Sequence, residues 1–274
     1  MIYGLGAITG LARLARLAGL TQPGRRMYRN ATFFAAHVAL DARAASRWLP
    51  PGLRLAPGPS GARAEATVFA SHFPETSFGS VYDEAGIFFH VRHGTIARRP
   101  GVFCPWMVVT DDVALIVGRE LLGYPKKMAR ITFDFGDGSE GTEVRADVVR
   151  RGRTVLQMRG RVGATVHDAP PMLGQRALNV RGALGPFAQR LVTFTPRETL
   201  VEVRSATATV TTSPSTSGER DAREDGRDPV DEMGLGDVLS AHLYRVDITS
   251  SLPPRDVRGA GLGFAVRSLG ARWT

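Results

Sequence analysis

The sequence predicts a mainly β, α+β fold: one largely antiparallel domain with a few short helices. Two observations predict it. Short runs rich in aromatic and β-branched residues recur along the 274-residue chain, separated by turn signals. Helix start and stop signals, by contrast, bracket only brief stretches. A hydrophobic content of 43% suffices for a buried core, and a single barrel or sandwich domain accommodates this length. No internal repeat is visible.

The first 20 residues are apolar, with Arg13 and Arg16 in their middle. They lack the charge-first order and small-residue cleavage site of a signal peptide. Leu11, Leu14, Leu17 and Leu20 suit one side of a short helix. Residues 1–30 are therefore expected to be a helix or arm packed on the body; the alternative is a basic helix lying on a membrane surface. The main domain is expected over 31–274. It opens with a strand at 31–41 and a short helix at 42–49, stopped by Pro50 and Pro51. Strands are expected at 62–73, 78–93 and 101–109, the last tolerating Pro105 only at an edge or bulge. Thr110, Asp111 and Asp112 then offer N-cap oxygens to a helix over 111–122. Gly123 suits its C-terminus, and Pro125 prevents continuation. A strand follows at 128–135, then strands at 143–150 and 153–162 around a turn at Arg151-Gly152, and further strands within 192–212. Residues 213–232 are polar and, towards their end, acidic, which predicts a surface insertion or disordered loop. Strands and a short helix are expected within 237–274.

Composition excludes several function classes. The single cysteine, Cys104, cannot form an internal disulfide and reads as buried and inert; a reducing, cytoplasmic setting fits. No run of 18 apolar residues is present, so no membrane span is expected. The net charge of +9 comes from arginines spread along the chain without a nucleic-acid motif, so no nucleic-acid partner is expected. Residues 136–141 (GDGSEG) fit G-x-G-x-x-G on paper, but a strand-like segment follows, so a hairpin turn is expected. His90 and His93, three apart on a strand, point to opposite faces, and no metal site is expected.

One feature of the charge does point to chemistry. Of 35 basic residues 33 are arginine, and the two lysines, Lys126 and Lys127, are adjacent. An amine, unlike a guanidinium, can lose its proton, attack a carbonyl and form an imine. Burial and a neighbouring positive charge both favour the neutral amine.

The surrounding residues carry a family resemblance. Ala114, Val117, Gly118, Arg119, Glu120, Leu121, Tyr124, Pro125, Lys126 and Lys127 stand in register with the signature segment of the acetoacetate decarboxylase family, A-x-x-V-G-R-E-L-x-x-Y/F-P-K-K. Tyr82-Asp83-Glu84-Ala85-Gly86 resembles its Y-x-E-S/A-G segment. This family exemplifies imine-forming lysines activated by a desolvated pocket and a neighbouring cation. The resemblance implies a closed antiparallel β-barrel or cone. It names Lys126 as the Schiff-base lysine, Lys127 as its perturbing charge and Glu84 as the acid/base or substrate-positioning group. Gly118, Arg119, Glu120 and Pro125 are structural in this reading, with Arg119 and Glu120 fixing the helix against the barrel. Tyr82, Tyr244 and His242 are candidate pocket groups.

The family pattern also has an arginine on the first strand and a second glutamate, which would hold the substrate carboxylate and tune its loss. Their positions fall on Ala31 and Phe69. Arg29, two residues away, is the candidate carboxylate binder, and Glu65 lies four residues from the second position. The resemblance thus implies a cofactor-independent lyase decarboxylating a β-keto acid, working as a homo-oligomer on a small keto acid, with no metal or organic cofactor. The alternatives are aldolase or dehydratase chemistry on a larger keto acid, and a non-catalytic barrel that binds a small acid.

Overall fold

The computed structural model describes residues 26–58, 61, 63–94, 100–182, 189–213, 228–249, 254–259 and 264. The expected N-terminal helix, residues 214–227 of the expected surface insertion, and residues 250–253, 260–263 and 265–274 lie outside the described residues. Strand β1 (Arg26–Leu40) starts the fold and leads into helix α1 (Ala42–Ser46). Asp41 caps that helix, its carboxylate accepting from the backbone N–H groups of Arg43 and Ala44. There follow β2 (Leu53–Leu55), β3 (Glu65–Phe73), β4 (Glu75–Thr76), β5 (Tyr82–His93) and β6 (Gly101–Val109). Helix α2 (Asp112–Glu120) separates β6 from β7 (Lys126–Met128). Next come β8 (Arg130–Asp134), β9 (Glu143–Arg150), β10 (Arg153–Thr165), β11 (Ala177–Arg181) and β12 (Arg190–Phe194). The chain continues with β13 (Arg197–Thr212), a 3-10 turn at Asp231–Met233, β14 (Leu235–Thr249) and β15 (Arg255–Gly259). The expected strands are present, and residues 136–141 form the β8–β9 turn.

These strands form one 15-stranded sheet whose main path runs β15-β12-β11-β6-β5-β3-β1-β14-β13-β10-β9-β8. The expected closed barrel is not formed. Strands β8 and β15 end the ladder, and β8 returns over β3 and β5 by packing rather than by edge-to-edge pairing. The curl buries two apolar faces. Even-numbered residues of β1, such as Phe34, Ala36 and Val38, pack with Ile131, Val144, Val148 and Met158 of the returning strands. The odd-numbered Ala31, Phe33 and Ala35 pack on the opposite face with Phe69, Phe73, Tyr82 and Tyr244. This second face carries the site.

Pro105 explains how one strand can serve two neighbours along one edge. The β5–β6 register shifts between Ile87/Trp106 and Phe89/Phe103, which places a bulge at Pro105. Strand β11 pairs β6 at Val102, and β7 pairs it in parallel at Met107–Val109. Proline, which has no N–H to offer, occupies the gap between them. Asn179 bridges that gap: its side chain accepts from Cys104 N–H at 3.2 Å and donates to the Leu122 carbonyl at 3.2 Å. Cys104 is buried, as expected. No helix among the described residues is long and apolar enough to cross a membrane.

A buried polar cluster lies on the site face but at its far end. His37 Nε2 is hydrogen-bonded to Glu65, and His37 Nδ1 lies 3.3 Å from Thr67 Oγ1. The His90 ring meets His37 edge-on at 5.2 Å, and its buried Nε2 finds no hydrogen-bond partner among the described residues. Burial, reinforced by His37 and opposed by Glu65, pushes the His90 pKa down from 6.5 to about 4. The unfolded imidazole takes up a proton as pH falls below 6.5, while the folded one stays neutral down to about 4. Stability is therefore lost across that window as pH falls, by about 3 kcal/mol at its acid end. Urea unfolding of wild type and His90→Phe between pH 7 and pH 4 checks this. The wild-type loss should be the steeper; equal slopes would refute it.

Candidate active site

The β6–α2–β7 crossover places the two lysines. Asp111 caps α2, its carboxylate accepting from Ala114 N–H at 2.7 Å. Gly123 leaves the helix at φ +73°, a left-handed conformation suited to glycine. The Tyr124 N–H donates to the Gly118 carbonyl at 3.0 Å, and the Lys126 N–H donates to the Tyr124 carbonyl at 2.8 Å. The chain then enters β7, where Lys126 lies opposite Met107 and Lys127 opposite Val108. Consecutive strand residues face opposite sides, so the two amines separate across the sheet.

Lys126 turns to the aromatic face. Its Nζ donates to Glu84 Oε2 at 2.5 Å, with side-chain exposures of only 6% and 9%. The amine lies 5.6 Å from the Tyr82 ring centroid and 5.8 Å from that of Tyr124. Tyr28 and Tyr82 are hydrogen-bonded through their hydroxyls. Burial, with Glu84 nearby, raises both above the usual phenol range. Tyr244 stacks on Phe33 at 5.2 Å on the same face, and burial raises its hydroxyl too. Glu198 joins this group: it accepts the Gly174 N–H at 2.5 Å and lies close enough to Tyr124 and Tyr244 to influence both. Burial raises the Glu198 carboxyl above its ordinary pKa.

Lys127 turns to the other face and meets Asp228, with which it forms an ion pair. The same carboxylate accepts from Arg150 Nε at 2.6 Å and from Trp106 Nε1 at 2.8 Å. Burial pushes Lys127 down to about 8, with Asp228 opposing the shift. Lys127 thus belongs to a buried ionic cluster across the sheet from the Lys126 amine. Its positive charge is engaged there by Asp228.

The motif residues divide. Gly118 leaves room for the lysine: a Cβ there would lie 2.4 Å from Lys126 Cδ and 2.5 Å from Cε. Arg119 donates to the Lys126 carbonyl at 3.4 Å. Pro125 ends the crossover. Glu120, expected to hold the helix against the body, is exposed.

Arg29 is not at the site. It is half exposed and paired with Glu75 at 3.4 Å. Alternation counted back from Ala31 would turn it inward, but Asn30 adopts φ +51° and the β1–β14 register shifts between Tyr28 and Ala31. That bulge reverses the alternation, turning Tyr28 inward and Arg29 outward. Glu65 sits on the correct face but six residues along β3 from Ser71, the partner of Glu84, or about 20 Å away at the usual strand rise. Sequence reasoning missed Tyr28, Glu198 and Asp228. Asp228 closes the polar run expected to be a surface insertion, yet its side chain is 3% exposed, and Val230 and Met233 behind it are buried. A valine and a methionine so close together were the available signal.

The sequence model of the family described as Acetoacetate decarboxylase (ADC) matches residues 17–257. The chain belongs to the acetoacetate decarboxylase family. Solved structures agree on the fold. The acetoacetate decarboxylase of Legionella pneumophila is 13% identical, with a TM-score of 0.67 over 88% of this chain and 96% of its own. The enduracididine biosynthesis enzyme MppR, solved with pyruvate, is 17% identical, with a TM-score of 0.66 over 87% and 92%. An acetoacetate decarboxylase-like enzyme from Sphingomonas wittichii RW1 is 20% identical, with a TM-score of 0.62 over 87% and 96%. No curated protein sequence matches this chain.

The Gly118 contact yields a test. In Gly118→Ala the new methyl meets the flexible end of Lys126, so the lysine moves and the helix persists. Carbonyl trapping at Lys126 should slow by about 10-fold or more, since misplacing a reacting group by 1 Å costs up to 100-fold. The thermal midpoint should change by no more than a few degrees. Unchanged trapping would show that the close approach has no catalytic meaning.

Proposed function

We propose that the chain is a cofactor-independent Schiff-base enzyme acting on a carbon–carbon bond beside a carbonyl group, with Lys126 as nucleophile and Glu84 as acid/base. The observation that carries this is the buried amine–carboxylate contact of 2.5 Å between tyrosine rings, within the family's own lysine motif. Glu84 accepts a proton from Lys126, freeing the lone pair. Nζ adds to the carbonyl carbon, and the carbonyl oxygen leaves as water. The protonated imine that remains has Glu84 as counter-ion. It draws electrons from the adjacent carbon–carbon bond as that bond breaks, leaving an enamine. Protonation of the enamine carbon and hydrolysis of the imine return free Lys126.

Decarboxylation of a β-keto acid is one outcome of this sequence. Aldol-type cleavage or condensation, with or without loss of water, is the other. The position of Arg29 favours the second, because the candidate carboxylate binder stays at the surface with Glu75. MppR has been solved with the condensation product of pyruvate and imidazole 4-carboxaldehyde, and that precedent supports the same reading. Glu198 is available as a second proton donor near Tyr124.

Borohydride reduction tests the proposal. Protein incubated with acetoacetate, pyruvate or a simple ketone, then reduced and digested, should carry a secondary amine at Lys126. Its mass gain is that of the carbonyl compound less one oxygen atom or, where CO2 has been lost on the imine, that of the decarboxylated ketone less one oxygen atom. Absence of an adduct with every carbonyl compound tried sinks it.

A further inference from the structure

We propose that the Lys126 site takes a neutral carbonyl compound bearing an aromatic or comparably bulky apolar group, in preference to a short keto acid. The inference rests on the Schiff-base reading above and deepens it. It starts from charge. Lys126 is matched by Glu84 at 2.5 Å, so when a neutral ketone condenses, the protonated imine and Glu84 still balance. A keto acid adds a carboxylate to surroundings that already hold the Glu84 carboxylate. An anion added to a desolvated site without a cation to meet it is costly. Among the described residues, the arginines of β1 and of the β6–α2–β7 crossover are engaged elsewhere. Arg26 pairs with Asp247 at 3.3 Å, Arg29 with Glu75, and Arg119 donates to the main-chain carbonyl of Lys126.

The rings around the amine support the same conclusion. Phe73 stacks on Tyr82 at 4.6 Å and meets Tyr28 at 4.9 Å. Phe88 stacks on Phe69 at 5.4 Å and meets Tyr124 edge-on at 6.0 Å. The two tyrosines beside the amine are thus each backed by phenylalanine, a surround that favours an apolar or aromatic substrate over a small hydrated acid. The phenol hydroxyls stay protonated and are available as hydrogen-bond donors to a neutral carbonyl or hydroxyl oxygen.

The experiment compares two probes on the full chain at equal concentration: benzylacetone, a neutral aromatic ketone, and acetoacetate. Each is reduced onto the protein with borohydride, and the Lys126 adduct is quantified by mass spectrometry over time. Benzylacetone should label Lys126 at least about 10-fold faster. In Glu84→Gln, which removes one negative charge, the ratio of acetoacetate to benzylacetone labelling should rise. Equal or faster labelling by acetoacetate in the wild type overturns this inference and leaves the Schiff-base reading intact. Absence of label from both probes overturns the two together.

Discussion

Lys126→Arg should abolish carbonyl trapping and turnover while the protein stays folded. Arginine keeps the positive charge that faces Glu84 and can form the same ion pair, so the buried carboxylate is not left alone. What it cannot do is release a proton and attack a carbonyl carbon. The expected loss is on the order of 1,000-fold or more, as for removal of a covalent nucleophile. Circular dichroism and the thermal midpoint establish that the fold survives. This variant also separates the enzyme from a barrel that merely binds a small acid. Ligand binding that survives the change, with no turnover by the wild type, would favour the binder; turnover that survives it would remove Lys126 as the nucleophile.

Asp228→Ala should be the most destabilising single change at the site. The carboxylate joins Lys127, Arg150 and the Trp106 indole, and its side chain is 3% exposed. Removing it takes the anion from between two cations in a buried setting, a change that costs about 3–5 kcal/mol. Asp228→Asn, which keeps the shape and one acceptor oxygen, should lose less. Equilibrium urea unfolding with matched m-values measures both. A loss below about 1 kcal/mol for the alanine variant would mean that the cluster's attraction is largely cancelled by desolvation. Because Lys127 is anchored beside Lys126, carbonyl trapping should also weaken in this variant, and less so in Asp228→Asn.

What was legible in the sequence was mostly local. Asp111, Gly123 and Pro125 announced the start and stop of α2, and the structure places helix and strand within a residue or two of those signals. Lys126 was legible because the residues that position it, from Gly118 to Pro125, precede it directly. Glu84 came from a second short motif, and only the fold brings it across 42 residues to the amine. What stayed hidden depends on features that alternation cannot supply. The left-handed Asn30 reverses the inward face of β1, exchanging Arg29 for Tyr28. Asp228 lies 101 residues from Lys127, in a stretch whose composition reads as solvated. The open sheet was invisible for a similar reason: which edges pair is a property of the assembled strands.

A strand with an amine on each side is also a counter of residues. If β7 slipped by one position against β6, every side chain of the strand would change face. Loss of one residue from the Gly123–Pro125 link would bring Lys127 to the place beside Glu84 and put Met128 where Asp228 now meets a cation. Gain of one residue would bring Lys126 to Asp228 and leave Pro125 on the side of Glu84. The pair therefore serves one partner or the other after a spacing error, never both. In directed evolution, only shortening of this link should leave an amine at Glu84.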